Sequence, residues 1–191
     1  MNRRGLDKVF CAALSPLGFV KVRSNWYLDR RTGVVGVVGL QRSRWSPCYY
    51  LNVGFQVRRI NPGKHLQAWE CCAHGRVSRL LRRTRAFEGC LDLESPMDDA
   101  QRHRVIERFL SKRLGPFVVG LSTPAAMQRA YPRGALERAG TTPRYRRWLR
   151  GRGVRGLPRE DSDRSGIELL TGKSAAGRAF YREIRAALRS G

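Results

Sequence analysis

The stretch Arg144-Tyr145-Arg146-Arg147-Trp148-Leu149-Arg150-Gly151-Arg152-Gly153-Val154-Arg155-Gly156 holds the densest set of side chains that could take a ligand. Arginines neutralise phosphates, and the counterions released drive binding without sequence preference. Tyr145 and Trp148 supply faces for base stacking, and the Arg-Gly steps resemble the flexible segments of single-strand and RNA binders. From Arg144 to Arg159 there are seven arginines, three glycines, Pro158 and no acid. Apolar periodicity is lost there, which predicts a loop or a disordered linker. The plainer account is a solvated linker with a biased composition.

A second cluster is Gln41-Arg42-Ser43-Arg44-Trp45, at the end of an apolar run. Arg42 and Arg44 could hold a phosphate or carboxylate through a bidentate guanidinium, with Trp45 beside them. Otherwise, Arg44 pairs with a carboxylate at the edge of the core and Trp45 covers the sheet.

Three further sets are weaker. Cys71, Cys72, His74 and Cys90 contain zinc-ligand types, but structural sites use two ligand pairs, and no second pair is present. Small buried residues are the simpler reading. Asp99, His103 and Glu107 recur every fourth residue, as an acid–base trio would, but also as a surface charge row at a helix start does. Gly172-Lys173-Ser174 imitates a P-loop, but five residues separate Gly166 from Gly172 where the motif needs four, and no strand precedes them. No catalytic residue, metal site or cofactor is assigned.

The elements that must position these groups come from the apolar pattern. Leu6, Val9, Phe10, Ala13 and Leu14 make the stripe of an amphipathic helix over 5–15, ended by Pro16 and Gly18. Val20, Val22, Trp26 and Leu28 alternate with Lys21, Arg23, Asn25 and Asp29 as one strand would. After the turn Arg30-Arg31-Thr32-Gly33, Val34 to Leu40 is apolar on both faces, with Gly36 and Gly39 marking close approach or a bulge. Tyr49, Leu51, Val53, Phe55 and Val57 then alternate with Tyr50, Asn52, Gln56 and Arg58. Short connections favour an antiparallel meander, with the first helix on its apolar face.

Asn61-Pro62-Gly63 is a turn, and residues 65–85 read equally as strand or short helix. Ser95-Pro96-Met97-Asp98 opens a helix to about Leu114, with Val105, Ile106, Phe109 and Leu110 inward and Gly115-Pro116 as its stop. Ser122-Thr123-Pro124 opens a short one that ends at Pro132, and a last helix is expected over 173–189. The fold expected is α+β: an antiparallel sheet of three to five strands with helices over 1–132, then a basic flexible linker and C-terminal helix over 133–191.

Of the 191 residues, 38 are basic and 15 acidic, a net charge of +23; five of the basic residues are Lys and 33 are Arg. Such a field concentrates polyanions around the protein: RNA or DNA, anionic lipid or an acidic protein. A GC-rich genome produces the same excess with no partner. Five cysteines without regular spacing point to a reducing compartment, hence the cytoplasm. No apolar run approaches the length of a membrane span.

The first half resembles a bacterial family of domains of unknown function, DUF4304. The likeness rests on Gly18-Phe19, Asn25-Trp26-Tyr27, Val38-Gly39-Leu40-Gln41-Arg42-Ser43-Arg44-Trp45 and Tyr49-Tyr50-Leu51-Asn52-Val53-Gly54, and spans roughly 5–130. Cys72-Ala73-His74-Gly75-Arg76 stands where the family has a Cys-His-x-Arg step, here with one inserted residue. The resemblance implies an α+β domain among small accessory proteins of conflict or immunity type, and it implies no activity. Three functions follow as expectations: a non-enzymatic binder of RNA or DNA, a module docking an acidic protein through its sheet face, and, with least support, an enzyme on a phosphorylated substrate.

Overall fold

Helix α1, Arg3–Leu14, begins where the Asn2 side chain accepts from the Gly5 N–H, and buries Leu6, Val9, Phe10, Ala13 and Leu14. Those five are the whole predicted stripe. The computed structural model describes residues 1–60, 66–131, 136 and 138–150. The Asn61-Pro62-Gly63 turn, the 151–159 linker with Arg152 and Arg155, Gly172-Lys173-Ser174 and the helix expected over 173–189 lie outside them.

Six strands form one antiparallel sheet in chain order: β1 Val20–Val22, β2 Asn25–Asp29, β3 Val34–Arg42, β4 Tyr49–Val57, β5 Ala73–Arg76 and β6 Gly140–Thr141. The meander holds, with one more strand than the largest number expected. What read as one strand over Val20–Asp29 is a hairpin. Arg23 takes φ 55° in a two-residue turn, so Val22 pairs with Asn25 and Val20 with Tyr27. Val20 and Val22 therefore share a face with Asn25 and Tyr27, opposite Trp26 and Leu28, because a two-residue turn reverses the alternation. Gly33, at φ 84°, supplies the positive φ in the turn before β3.

One face of the sheet carries the main core. Trp26, Leu28, Val38, Leu51, Val53 and Phe55 pack with α1 and the later helices. The Phe10 and Trp26 rings lie 4.9 Å apart. Those helices are α2 Val77–Leu80, α3 Arg85–Cys90, α4 Asp99–Phe109, α5 Gly115–Gly120, α6 Pro124–Ala130 and α7 Pro143–Leu149. The ambiguous 65–85 region is both things: strand β5 followed directly by α2.

Two helix boundaries differ from expectation. Asp98 caps α4 rather than Ser95, its side chain accepting from the Gln101 N–H. Gly115-Pro116 does not end the helical run: the chain passes through a π turn, Leu110–Leu114, in which the Gly115 N–H bonds the Leu110 carbonyl, and continues as α5. Proline lacks a donor, and near the first turn of a new segment it needs none.

The loop expected from Arg144 onward is α7 as far as Leu149, capped by the Thr142 hydroxyl. Tyr145, Trp148 and Leu149 are buried in the main core, and the Tyr145 hydroxyl lies 3.3 Å from Met127 Sδ. The sequence texture misled because the apolar members of this one short helix, at i, i+3 and i+4, sit among arginines that face water.

Candidate functional site

The other face of the sheet carries no α-helix among the described residues. A strap of chain, Leu66–Cys72, crosses its middle; it includes one 3-10 turn, Ala68–Glu70. Two glycines admit it. A Cβ on Gly54 would stand 2.5 Å from the Ala68 carbonyl oxygen and 2.7 Å from Cys71 Sγ, and one on Gly39 would meet the Asn25 side chain and Ala68. Asn25 and Tyr27 hold the strap from β2: Asn25 Nδ2 donates to Gln67 Oε1 at 2.7 Å and the Tyr27 hydroxyl to the Leu66 carbonyl at 3.1 Å. Tyr27, Val37, Ala68 and Cys71 make a second, small core beneath it. Burial pushes the Cys71 thiol up to about 12, with Cys72 and Glu70 adding to the effect. Burial likewise raises the Tyr27 hydroxyl, against a lowering by the hydrogen bond from Asn25.

Between the strap and the β3–β4 loop the strand residues of this face are polar. Asn52 Nδ2 donates to Gln41 Oε1 at 2.9 Å. The Arg76 guanidinium lies over the Tyr50 ring, 3.8 Å from its centroid. The register places all four together: Gln41 opposite Tyr50, and Asn52 opposite Arg76. Among the strand residues on this face Asp29 is the one carboxylate. It lies at the far end and is paired with Arg58.

The β3–β4 loop, 43–48, is closed by the Ser43 N–H to the Cys48 carbonyl at 2.9 Å. The Ser43 hydroxyl accepts from the Trp45 N–H at 3.2 Å. Trp45 is 93% exposed and does not cover the sheet. Arg42 and Arg44 are exposed too, and neither joins an ion pair among the described residues. The cluster divides at the strand end: Gln41 belongs to the polar face, whereas Arg42, opposite Tyr49, points to the helix-bearing side.

Arg102 holds the segment to which this loop is bonded. It is 2% exposed, on the buried stripe of α4 with Ile106 and Phe109. Nη1 donates to the Cys90 and Asp92 carbonyls and Nη2 to those of Ser95 and Met97. The segment so held returns the Leu91 carbonyl to the Tyr49 N–H at 2.9 Å and the Leu93 N–H to the Pro47 carbonyl at 3.3 Å. Sequence reading passed over Arg102; its place four residues before Ile106 on an apolar stripe was the available signal.

The Arg144 backbone lies in α7, and Arg146, Arg147 and Arg150 are exposed along it, but Tyr145 and Trp148 are turned into the core and present no stacking face. Their rings stack on each other, 5.4 Å apart. Cys71 and Cys72 fall in different cores, and no His, Cys, Asp or Glu group among the described residues could hold a metal ion. His74 Nδ1 lies 3.2 Å from the Cys71 carbonyl oxygen. Asp99, His103 and Glu107 are all exposed, and Asp99 accepts from the amino terminus.

An α+β domain with a six-stranded meander, helices on one face and a strapped polar surface on the other is thus the class of protein that the fold defines. The family model for DUF4304, a domain of unknown function, matches residues 10–119, more than half of the chain, and the chain belongs to that family. Neither the curated proteins nor the solved structures hold a match to it. No helix among the described residues is long and apolar enough to cross a membrane.

Proposed function

We propose that this domain binds nucleic acid, without catalysis, through the end of the sheet that carries the β3–β4 loop. One observation carries the reading: Trp45 stands 93% exposed next to Arg44, in a loop where neither Arg42 nor Arg44 has a carboxylate partner among the described residues. An indole held in water gains most from a flat aromatic ligand, and guanidinium groups without partners release counterions when they meet phosphates. The net charge of +23 concentrates such a ligand near the surface. Relative to the sequence alone, the weight moves from the 144–156 stretch to Arg42, Arg44 and Trp45. Arg146, Arg147 and Arg150 remain as phosphate contacts without aromatic neighbours. None of the five cysteines forms a disulfide among the described residues, which suits a reducing compartment and supports a cytoplasmic setting.

The second reading, an acidic protein docking on the same loop, draws on the same exposed Trp and Arg, residue types enriched at interface cores. An enzyme on a phosphorylated substrate is the reading with the least support.

The test is purification with and without nuclease. The untreated protein should carry excess absorbance at 260 nm that the treatment removes, and the Arg42→Gln/Arg44→Gln/Trp45→Ala variant should carry little. A parent protein free of nucleic acid that also fails to bind added oligonucleotide at low salt overturns the reading.

A further inference from the structure

Gln41, Tyr50, Asn52 and Arg76 sit together on the strapped face, and the nucleic-acid reading does not by itself use them. They come from three adjacent strands and form two finished pairs. In one, the Arg76 guanidinium lies over the Tyr50 ring, its Cζ 3.8 Å from the centroid. Arg76 is exposed, so the second face of its guanidinium plane is turned away from the ring. In the other, Asn52, 9% exposed, donates to Gln41. That bond leaves the Gln41 amide N–H groups and the Asn52 carbonyl oxygen without a hydrogen bond among the described residues.

The pieces are what recognition of an unpaired base requires. A planar cation stacks on the base, and an adjacent amide edge offers a donor and an acceptor to its Watson–Crick side. Three strands span about 10 Å and two residues along a strand about 7 Å, so the patch has the size of one or two bases. The strap bounds it on one side, fixed over Gly39 and Gly54. On the other side β3 runs into the β3–β4 loop, which carries Arg44 and Trp45. Asp29, the one carboxylate among this face's strand residues, is remote and paired with Arg58, and the strap's exposed Glu70 accepts from the Gln67 N–H.

We propose that this patch holds an unpaired nucleobase stacked on Arg76, and that the ligand of the domain is therefore single-stranded. The inference rests on the nucleic-acid reading above and deepens it.

The test compares a fluorescein-labelled oligothymidylate of about 15 nucleotides with a duplex of the same length, by anisotropy at low salt. The single strand should bind the parent about tenfold or more tightly than the duplex does. Arg76→Gln and, separately, Tyr50→Leu should each weaken single-strand binding about fivefold or more, leaving duplex binding unchanged. Arg76 is a surface residue, so its variant keeps the test valid if Tyr50→Leu misfolds. Equal binding of the two probes, or a single-strand preference that survives Arg76→Gln, overturns the inference while the nucleic-acid reading stands. Failure of both probes to bind the parent overturns both.

Discussion

Replacing Arg102 by Met keeps the length of the side chain and removes its charge and its donors. The guanidinium donates to four carbonyl oxygens: Cys90 at 2.7 Å, Asp92 at 2.6 Å, Ser95 at 3.1 Å and Met97 at 3.4 Å. Its Nε–H is buried without a partner, and no carboxylate balances the charge among the described residues. Hydrogen bonds from a charged donor contribute about 1.5–3 kcal/mol each, so four outweigh the several kcal/mol of desolvating the cation. Arg102→Met should cost about 3–5 kcal/mol, because it leaves the carbonyls that the guanidinium held without a donor, at about 1–3 kcal/mol for each that stays buried. For a chain of this size that lowers Tm by about 10 °C. Arg102→Lys should fall between, since its ammonium cannot reach four acceptors fixed for a fork. Circular-dichroism melts measure the loss. Hydrogen exchange at the Tyr49 N–H, bonded to the Leu91 carbonyl, should rise with it. A Met variant that melts within about 2 °C of the parent, or above it, would refute the reasoning and mean that apolar packing serves as well there.

Gly54→Ala forces a Cβ to 2.5 Å from the Ala68 carbonyl oxygen, so the strap must lift; the expected cost is about 1–3 kcal/mol, read from melts, and an unchanged Tm contradicts close seating of the strap. Cys71 gives a pH dependence. With its thiol pushed up to about 12 in the folded state, the unfolded chain loses that proton first, near the usual thiol value. The stability it contributes is present in full at neutral pH and is lost as pH climbs from about 9 towards 12. Urea melts across that range should show less loss in Cys71→Ala. Alkylation of the folded protein near pH 8 should mark the half-buried Cys11 and Cys48 and spare Cys71, Cys72 and Cys90; early modification of Cys71 would contradict its burial.

The sheet and the first helix were legible because burial there follows one period at a time. All five stripe residues of α1 and every apolar member of Tyr49–Val57 went where alternation put them. Gly36 and Gly39 marked real close approaches, to Val118 and to Asn25. The hairpin at Arg23 was hidden because a two-residue turn without Gly, Asn or Asp leaves the alternation on paper intact while reversing it in space. Gln56 and Asn52 were read as a solvent face, yet they are 2% and 9% exposed, because no local pattern announces a neighbouring segment that folds over a strand. The same limit applied at Tyr145 and Trp148, where composition spoke for solvent and packing decided for the core. Within the candidate site, Arg42, Arg44 and Trp45 were visible by residue type. Tyr50 and Arg76 were not, since 25 residues lie between them in the chain and only the β4–β5 register brings them together.

The salt dependence of binding tests most directly whether phosphates meet the β3–β4 end of the sheet. For a labelled single-stranded oligonucleotide, each phosphate contact adds about −0.7 to the slope of log K against log salt. The Arg42→Gln/Arg44→Gln variant should show a slope shallower by about 1.4 than the parent, at unchanged Tm. Identical slopes for parent and variant, or no binding by the parent at the lowest salt, would contradict the account.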